Sequence, residues 1–171
     1  MEFKQFWRIY ESSFPEVERR SIKAQKILMQ KVEYKIDPYY ETGIITGFIC
    51  YWELSNFIFI EHLAIKDGLR GRGYGRKMLS AFLLTHSGKE NPPRIILEVE
   101  LPTNSQSQRR IKFYENMGFY LNSYAYQQPP YRRGGEPIPL KLMSYCRPLS
   151  EHAFCQVQKE IYREVYGVSA P

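Results

Sequence analysis

The chain has 171 residues, of which 43% are hydrophobic and 25% are charged, and its formal net charge is +6. This size suits one domain over residues 1–171, and the composition is that of an ordinary soluble globular protein, which excludes a fibrous or low-complexity class. No apolar run reaches the ~18 residues of a membrane-spanning helix, and the N-terminal residues lack the order of a signal peptide, so we expect a cytoplasmic protein.

The first half of the chain predicts two helices followed by a meander of strands. Aromatic residues recur at helical spacing near the N-terminus, and short turns separate three runs rich in β-branched and aromatic residues. Behind the third run, a glycine-rich segment leads into an amphipathic helix that ends near His86. The predicted helices cover 3–13 and 17–30, and the predicted strands cover 32–40, 44–54 and 57–65.

The second half predicts further strands and helices around a Pro- and Gly-rich loop. Gly118 is well placed to end one helix in the left-handed conformation, and Ser150 is a good N-cap for the last one. The sum is an α/β fold, a mixed sheet of mostly antiparallel strands with helices on both faces and a C-terminal helix. The predicted strands cover 94–100, 119–127 and 138–146, the helices 105–117 and 150–166, and the loops 88–93 and 128–137.

The segment Arg70-Gly71-Arg72-Gly73-Tyr74-Gly75 predicts a phosphate-binding turn. Glycine accepts positive φ and lets a ligand approach the backbone closely, and a helix N-terminus attracts anions. A nucleotide-binding P-loop would end in Gly-Lys-Ser/Thr, and a dinucleotide fingerprint would need a third glycine at Arg76 or Met78. Neither pattern is present, so the turn is of another kind.

Two motifs resemble those of the GCN5-related N-acetyltransferase (GNAT) family. Arg70-x-x-Gly73-x-Gly75 is similar to the family's (Q/R)-x-x-G-x-(G/A) loop, and residues 113–119, Phe-Tyr-Glu-Asn-Met-Gly-Phe, resemble its FYExxGF signature. They stand in the family's order, and the resemblance covers residues 44–127. It implies a GNAT-like acyl-CoA N-acyltransferase fold with a V-shaped splay between strands. It also implies an acetyl-CoA-dependent N-acetyltransferase that moves the acetyl group directly to a primary amine.

The resemblance also implies how acetyl-CoA is held. Backbone groups of Leu63 and Ile65 would pair with the pantetheine amides, and N–H groups of residues 70–76 would bind the pyrophosphate. The side chain of Arg70 would brace the loop or reach a phosphate. As a separate hypothesis, one of Arg109, Arg110 and Lys112, which cluster at the start of the helix over 105–117, contacts the 3′-phosphate. The implied coenzyme contacts are Leu63, Ala64, Ile65, Arg70, Gly71, Arg72, Gly73, Tyr74, Gly75 and Arg76.

Acyl transfer to an amine calls for a base, because an alkyl ammonium has a pKa near ~10.4. Glu61 is the first candidate, acting directly or through a water, since a carboxylate in an apolar strand is costly unless it is paired or faces a cavity. Glu98 and Glu100, on the next predicted strand, are the alternatives. The resemblance implies that Tyr114 is the general acid that protonates the departing sulfur.

The acceptor side is predicted around Glu98, Tyr124 and Tyr126. The two tyrosines would share one face of their strand by its period of two. The acceptor is a small molecule, a peptide or a protein, and the chain is a monomer or a homodimer.

Two other classes of protein compete with the enzyme. A catalytically silent acyl-CoA-binding or sensor module would keep the glycine loop, although retention of Glu61 and Tyr114 argues against it. A nucleic-acid module would use the basic surplus, but we find no binding motif with interleaved stacking aromatics. The three scattered cysteines suit a reducing cytosol, and neither they nor the three histidines form a metal-like cluster.

Overall fold

The computed structural model describes residues 1–88, 92–132 and 134–170, and these form two compact units. The single-domain organisation over residues 1–171 stays a prediction. Parts of two predicted loops, residues 89–91 and Arg133, lie outside the described residues. The first unit comprises Met1–Glu53 and Ile60–Pro93, and the second comprises Leu54–Phe59 and Arg94–Pro171.

The first unit contains helices and the first strands in the predicted order. Strand β2 lies between β1 and β3, and β1 pairs with β2 in antiparallel register with a bulge between Tyr39 and Tyr40. Three residues of β3 belong to the second unit. The elements are α1 (Phe3–Ser13), α2 (Ile22–Leu28), β1 (Tyr34–Glu41), β2 (Ile44–Glu53), β3 (Phe57–Ile65) and α3 (Tyr74–Ser87).

The predicted helix over 17–30 is wrong in its extent. One turn of 3₁₀ helix, Glu16–Glu18, is followed by Arg19 in an extended conformation, which ends helical geometry there. Helix α2 then starts afresh, because the Ser21 hydroxyl accepts a hydrogen bond from the Ala24 N–H at 3.2 Å. Sequence periodicity alone did not reveal this interruption.

Gly47 lets β2 and β3 approach closely. A Cβ atom built at this position would lie 2.5 Å from the Ala64 carbonyl oxygen and 2.8 Å from Ile65 Cδ1. Beyond that point, the Lys66 N–H donates to the Thr46 carbonyl at 2.8 Å. The absence of a side chain at Gly47 therefore fixes the spacing of the two strands just before the glycine loop.

The second unit is organised around β7. This strand pairs with β4 on one side, and both β5 and β6 pair antiparallel with it as well. Helix α4 ends before Gly118, whose φ of +90° matches the predicted left-handed terminus. The elements are β4 (Arg94–Glu100), α4 (Ser105–Glu115), β5 (Phe119–Leu121), β6 (Tyr126–Gln128), β7 (Ile138–Tyr145) and α5 (Glu151–Ile161).

The strand predicted over 119–127 is broken into β5 and β6. At the break, the buried Asn122 side chain donates to the Leu142 carbonyl at 3.0 Å and accepts from the Leu149 N–H at 2.8 Å. An asparagine that uses its side chain in this way diverts the chain from a regular strand. Tyr124 consequently lies outside any strand, and the premise that it shares a strand face with Tyr126 is wrong.

The last helix has the predicted start but an altered end. The Ser150 hydroxyl accepts from the Ala153 N–H at 3.3 Å, as expected of an N-cap. After Ile161 the backbone widens into a π-helical turn over Tyr162–Tyr166 and stops at Gly167, whose φ is +68°. This wider turn is short and was not foreseen.

The fold class is the predicted one. Over the residues that the structure describes, the protein is mixed α/β, with seven strands that are mostly antiparallel and a helix near the C-terminus. The V-shaped splay and the placement of helices on both faces stay predictions. Within the described ranges, we find no helix whose length and apolar character would let it cross a bilayer.

We expect Gly47→Ala to destabilise the protein by about 1–3 kcal/mol, because the added methyl group overpacks the gap between β2 and β3. Urea unfolding monitored by circular dichroism measures the change. Gly43→Asn is the control, since Gly43 has a φ of +79° with open space around it and asparagine tolerates that conformation. Equal stability of the Ala variant and the wild type would contradict the close-approach explanation.

Candidate active site

The glycine loop forms the N-terminus of α3. Gly73 is the N-cap residue with a φ of +83°, Gly71 has a φ of +75°, and no side chain caps the helix. The first N–H groups of a helix have no intrahelical acceptor, so this terminus presents donors and a partial positive charge. The loop thus has the backbone chemistry that binds a phosphate group.

Arg70 braces the loop. Its Nε donates to the Ile65 carbonyl at 3.3 Å, and its Nη2 donates to the Ser13 hydroxyl at 3.2 Å. These bonds connect the start of the loop to the end of β3 and to the last residue of α1. Arg72 and Arg76 are exposed, which leaves both guanidinium groups able to meet an anion in solvent.

Glu61, the predicted base, is held in a buried ion pair. Its side chain has no exposed surface, and the Arg20 guanidinium, 9% exposed, bonds to Oε1. The Trp52 indole N–H donates to Oε2 at 3.1 Å. The carboxylate is therefore surrounded by donors from β2 and from the segment that precedes α2.

The surroundings of Glu61 lower its pKa. Burial by itself raises the pKa of this carboxyl, but the charge of Arg20, the neighbouring His62 and the hydrogen bonds outweigh it. Glu61 thus stays ionised at neutral pH and is a weak base. An alkyl ammonium with a pKa near ~10.4 would not give its proton to this group without a strong driving force from another step.

The segment between α1 and α2 is fastened to β3 by contacts around His62. The His62 Nε2 donates to the Glu18 carbonyl at 3.0 Å, and its ring meets the Phe14 ring edge-on at 4.5 Å. The Arg20 N–H donates to the Tyr10 hydroxyl at 3.1 Å. Burial lowers the pKa of His62, so this histidine stays neutral and serves as a hydrogen-bond donor.

Tyr114, the predicted acid, is buried in α4. Its ring packs against Phe113 and Phe119, with centroids at 5.1 and 5.7 Å. Burial raises the pKa of Tyr114 to about 12. The nearby Arg110 lowers this pKa, and the negative charge of Glu100 raises it. The hydroxyl therefore remains protonated at any physiological pH and is available as a donor.

The basic residues at the start of α4 are engaged locally. Arg110 pairs with Glu100 at 2.5 Å, Arg109 donates to the Ser105 carbonyl at 3.1 Å, and Lys112 pairs with Glu115 at 3.3 Å. All three side chains lie at the surface, where such bonds exchange readily with a ligand. The contact to a 3′-phosphate stays a prediction.

The predicted acceptor residues Glu98 and Tyr126 are in contact. The Tyr126 hydroxyl donates to Glu98 Oε1, and the Tyr166 hydroxyl donates to Oε2 at 2.9 Å. Tyr124 is separate from this carboxylate, since its hydroxyl donates to the Leu149 carbonyl at 3.3 Å and its ring stacks on Phe154.

Sequence reasoning missed Arg20 as the partner of Glu61, and it missed Tyr166 as a partner of Glu98. These pairs are 41 and 68 residues apart in the chain. A buried carboxylate does signal that a partner exists, but it does not say which residue that is. Over the described ranges, we find no group of three His, Cys, Asp or Glu side chains that could hold a metal ion.

Comparison with known proteins assigns the family. A sequence model described as an acetyltransferase (GNAT) domain matches residues 37–121. No curated protein matches the chain. The chain belongs to the GNAT family of acetyltransferases, which confirms the resemblance drawn from the glycine loop and the helix signature.

Solved structures agree with this assignment. A putative GNAT acetyltransferase from Bacteroides thetaiotaomicron superposes with a TM-score of 0.89 at 29% identity, covering 98% of this chain and 93% of its own. The ribosomal-protein-S18-alanine N-acetyltransferase of Escherichia coli superposes with a TM-score of 0.62 at 19% identity, and the match covers 88% of this chain and 92% of the E. coli chain. Arabidopsis thaliana Naa50, in complex with the bisubstrate analogue CoA-Ac-MVNAL, superposes with a TM-score of 0.60 at 24% identity, and the match covers 84% of this chain and 93% of the Naa50 chain. The last two show the fold alone.

We expect Glu61→Gln to lower the free energy of unfolding by about 3–5 kcal/mol near pH 7, because it leaves the Arg20 charge buried without its counter-charge. Since the folded-state pKa of Glu61 is lowered, its stabilisation is present above the unfolded value near ~4.3 and is lost as pH falls through the folded pKa. The difference between variant and wild type should therefore shrink in acid.

Urea unfolding at neutral and acidic pH measures this difference. Glu11→Gln is the matched control, since Glu11 is 56% exposed in its pair with Arg19 and its loss should cost about 0–1 kcal/mol. A Glu61→Gln variant that is as stable as the control at neutral pH would show that the ion pair contributes little.

Proposed function

We propose that this protein is an acetyl-CoA-dependent N-acetyltransferase that acetylates a primary amine through a ternary complex. The observation that carries the proposal is the glycine-capped N-terminus of α3, which occupies the place in sequence of the pyrophosphate loop in a chain of the GNAT family. As in other anion sites at helix N-termini, the hydrogen-bond donors of this loop are backbone N–H groups. Leu63, Ala64 and Ile65, at the end of β3, are proposed to meet the pantetheine arm.

The reaction forms one C–N bond and breaks one C–S bond. The neutral amine attacks the thioester carbonyl, the tetrahedral intermediate expels the CoA thiolate, and the nitrogen loses a proton to give the amide. One proton is therefore released to a base and one is taken up by the sulfur, so that the products are the N-acetyl amine and CoA. No acyl-enzyme is needed, which is why a ternary complex is proposed.

Tyr114 is proposed as the acid at the sulfur. Its pKa of about 12 lies above that of a thiol near ~8.5, so full proton transfer to a free thiolate is unfavourable on these values alone. A phenol of this kind serves best as a hydrogen-bond donor while negative charge develops on sulfur, with the proton moving as the C–S bond breaks.

Glu61 is proposed as the base, working through a water molecule. Its carboxylate is fully buried and bonded to Arg20, so a direct contact with the amine would require those bonds to open. Glu98 and Glu100 remain the alternatives. Glu100 is paired with Arg110, and Glu98 accepts hydrogen bonds from the Tyr126 and Tyr166 hydroxyls.

A silent acyl-CoA-binding module is the second candidate, and the burial of Glu61 favours it. A carboxylate fixed in an ion pair can serve stability without serving catalysis. We also propose that the acceptor is a small molecule, a peptide or a protein, that the protein is cytoplasmic, and that it is a monomer or a homodimer. The free thiols of Cys50, Cys146 and Cys155 support the reducing location.

We expect Tyr114→Phe to lower kcat about 10²-fold while the Kd for acetyl-CoA stays unchanged, because only a donor to the transition state is removed. An acetyl-CoA consumption assay against a broad panel of amines, run beside calorimetric titration with acetyl-CoA, measures both quantities. Binding of acetyl-CoA without consumption on any amine would favour the silent module. Unchanged turnover in the variant would remove Tyr114 from the mechanism.

We expect Gly73→Ala to weaken CoA binding about tenfold, because an L-residue resists a φ of +83° and disturbs the N–H groups at the start of α3. Gly68→Ala is the matched control. It carries a similar strain at a φ of +77°, also in open space, but lies before the loop. Calorimetry with CoA measures both variants, and equal weakening in the two would contradict a binding role for the loop.

A further inference from the structure

A cavity of about 380 Å³ opens beside α5 in the second unit. Its walls come from α5, from the π-helical turn, from the start of β4 and from the turn into β3. We call it the α5 cavity. Of the described residues that line it, none is assigned above to acetyl-CoA, to the acceptor or to proton transfer. Its volume is that of a ligand site, since ligand pockets in proteins run from about 300 to 1,000 Å³.

Part of the α5 cavity is apolar. Phe57, Ala153 and Val157 line it, and all three residues are buried. Ala153 and Val157 are four residues apart on α5, so they lie on one face of that helix. This apolar surface suits a compact hydrophobic group, such as a single ring.

Three cationic side chains also line the α5 cavity. Arg94, the first residue of β4, is partly exposed, whereas Lys159 and Arg163 are fully at the surface. Arg163 donates to Glu164 at 2.6 Å, in an exposed pair of the kind that contributes little. Lys159 and Arg163 are four residues apart where α5 continues into the π-helical turn, and like charges at this spacing repel each other on a helix. A bound anion would relieve that repulsion.

The negative charge at the α5 cavity is smaller than the positive charge. Glu160 is the one carboxylate among the described lining residues. Its Oε1 already accepts hydrogen bonds from the Ser55 N–H at 2.8 Å and from the Ser55 hydroxyl at 2.6 Å. Within the described ranges, neither Arg94 nor Lys159 is found in an ion pair. The cavity therefore has an excess of positive charge beside an apolar surface.

We infer that the α5 cavity binds a phosphomonoester that carries a compact apolar body. Such a group has a charge of about −1.5 to −2 at pH 7, which matches this excess of positive charge better than one carboxylate does. Guanidinium groups, here those of Arg94 and Arg163, bind phosphate oxygens through two parallel hydrogen bonds. The apolar body would lie on Phe57 and Val157. The inference does not depend on the proposed function.

Direct binding tests this site. Calorimetric titration of the full chain uses phenyl phosphate as the probe and inorganic phosphate and benzoate as comparisons. Inorganic phosphate lacks the apolar body and benzoate carries a single charge, so we expect phenyl phosphate to bind about tenfold more tightly than either. A second titration with CoA present should give the same affinity within about twofold, whereas a phosphate group held by the glycine loop would be displaced.

Matched variants locate the binding. Arg94→Met and Arg163→Met should each weaken phenyl phosphate about tenfold, because each removes charge-assisted hydrogen bonds. Arg147→Met is the control, since Arg147 is also exposed in the second unit but does not line the cavity, and it should leave the affinity unchanged. Glu160→Gln keeps an oxygen for the bonds from Ser55 but removes the negative charge, so it should tighten binding about threefold. Circular dichroism checks that each variant is folded.

Phosphate groups also occur in nucleic acids and in lipid headgroups, and two further titrations separate these sources. A single-stranded oligothymidylate, and vesicles of phosphatidylcholine with phosphatidic acid, are added to the wild type and to Arg94→Met at about 0.15 M salt. We expect neither to bind more tightly than phenyl phosphate. Tighter binding of either one that is lost in Arg94→Met would identify a surface for a polyanion and would overturn the inference.

The inference is also overturned if phenyl phosphate does not bind the wild type, if CoA displaces it, or if inorganic phosphate or benzoate binds as tightly. The same conclusion follows if the Arg94 and Arg163 variants behave like the Arg147 control. The proposed function fails through a different result, the absence of acetyl transfer to any amine. That result leaves binding at the α5 cavity unaffected.

Discussion

The buried ion pair between Arg20 and Glu61 is the interaction on which the first unit depends. Two charges taken out of water are costly unless they are paired and hydrogen-bonded, and here Trp52 supplies a further donor to the carboxylate. The pair fastens the segment between α1 and α2 to β3. Arg70 makes a second link to this region, because it bonds to the end of β3 and to the last residue of α1. The Arg20–Glu61 ion pair and the Arg70 bonds together hold the start of the glycine loop in place.

The hydrogen-bond donors described for Glu61 and for Glu98 are of different kinds. Glu61 meets a guanidinium, which balances its charge and makes it part of the framework. The phenols of Tyr126 and Tyr166 donate to Glu98 without carrying charge themselves, and burial together with Glu98 raises the pKa of Tyr126 so that it remains a donor. A carboxylate that is neutralised by arginine, as Glu61 is, suits a structural role.

Local patterns predicted much of the secondary structure. The bounds of α1, β3 and β4 and the terminus at Gly118 follow from periodicity and from glycine, which act within a few residues. The predictions failed where a polar side chain interrupts a pattern. Ser21 starts α2 anew, and Asn122 uses its amide to break a strand that hydrophobic alternation would have continued. In the π-helical turn, the Tyr166 hydroxyl donates to Glu98, which lies 68 residues away in the chain.

The sequence by itself determined the family, because the glycine loop and the signature ending at Phe119 are short motifs whose chemistry is local. It also identified Glu61 and Glu98 as carboxylates that needed an explanation. Only the tertiary structure decided which partner each one has. Arg20 reaches Glu61 across 41 residues and Tyr166 reaches Glu98 across 68, and no periodic pattern encodes contacts at such separations. The path of the chain brings these groups together, and that path sets the electrostatic character of each carboxylate.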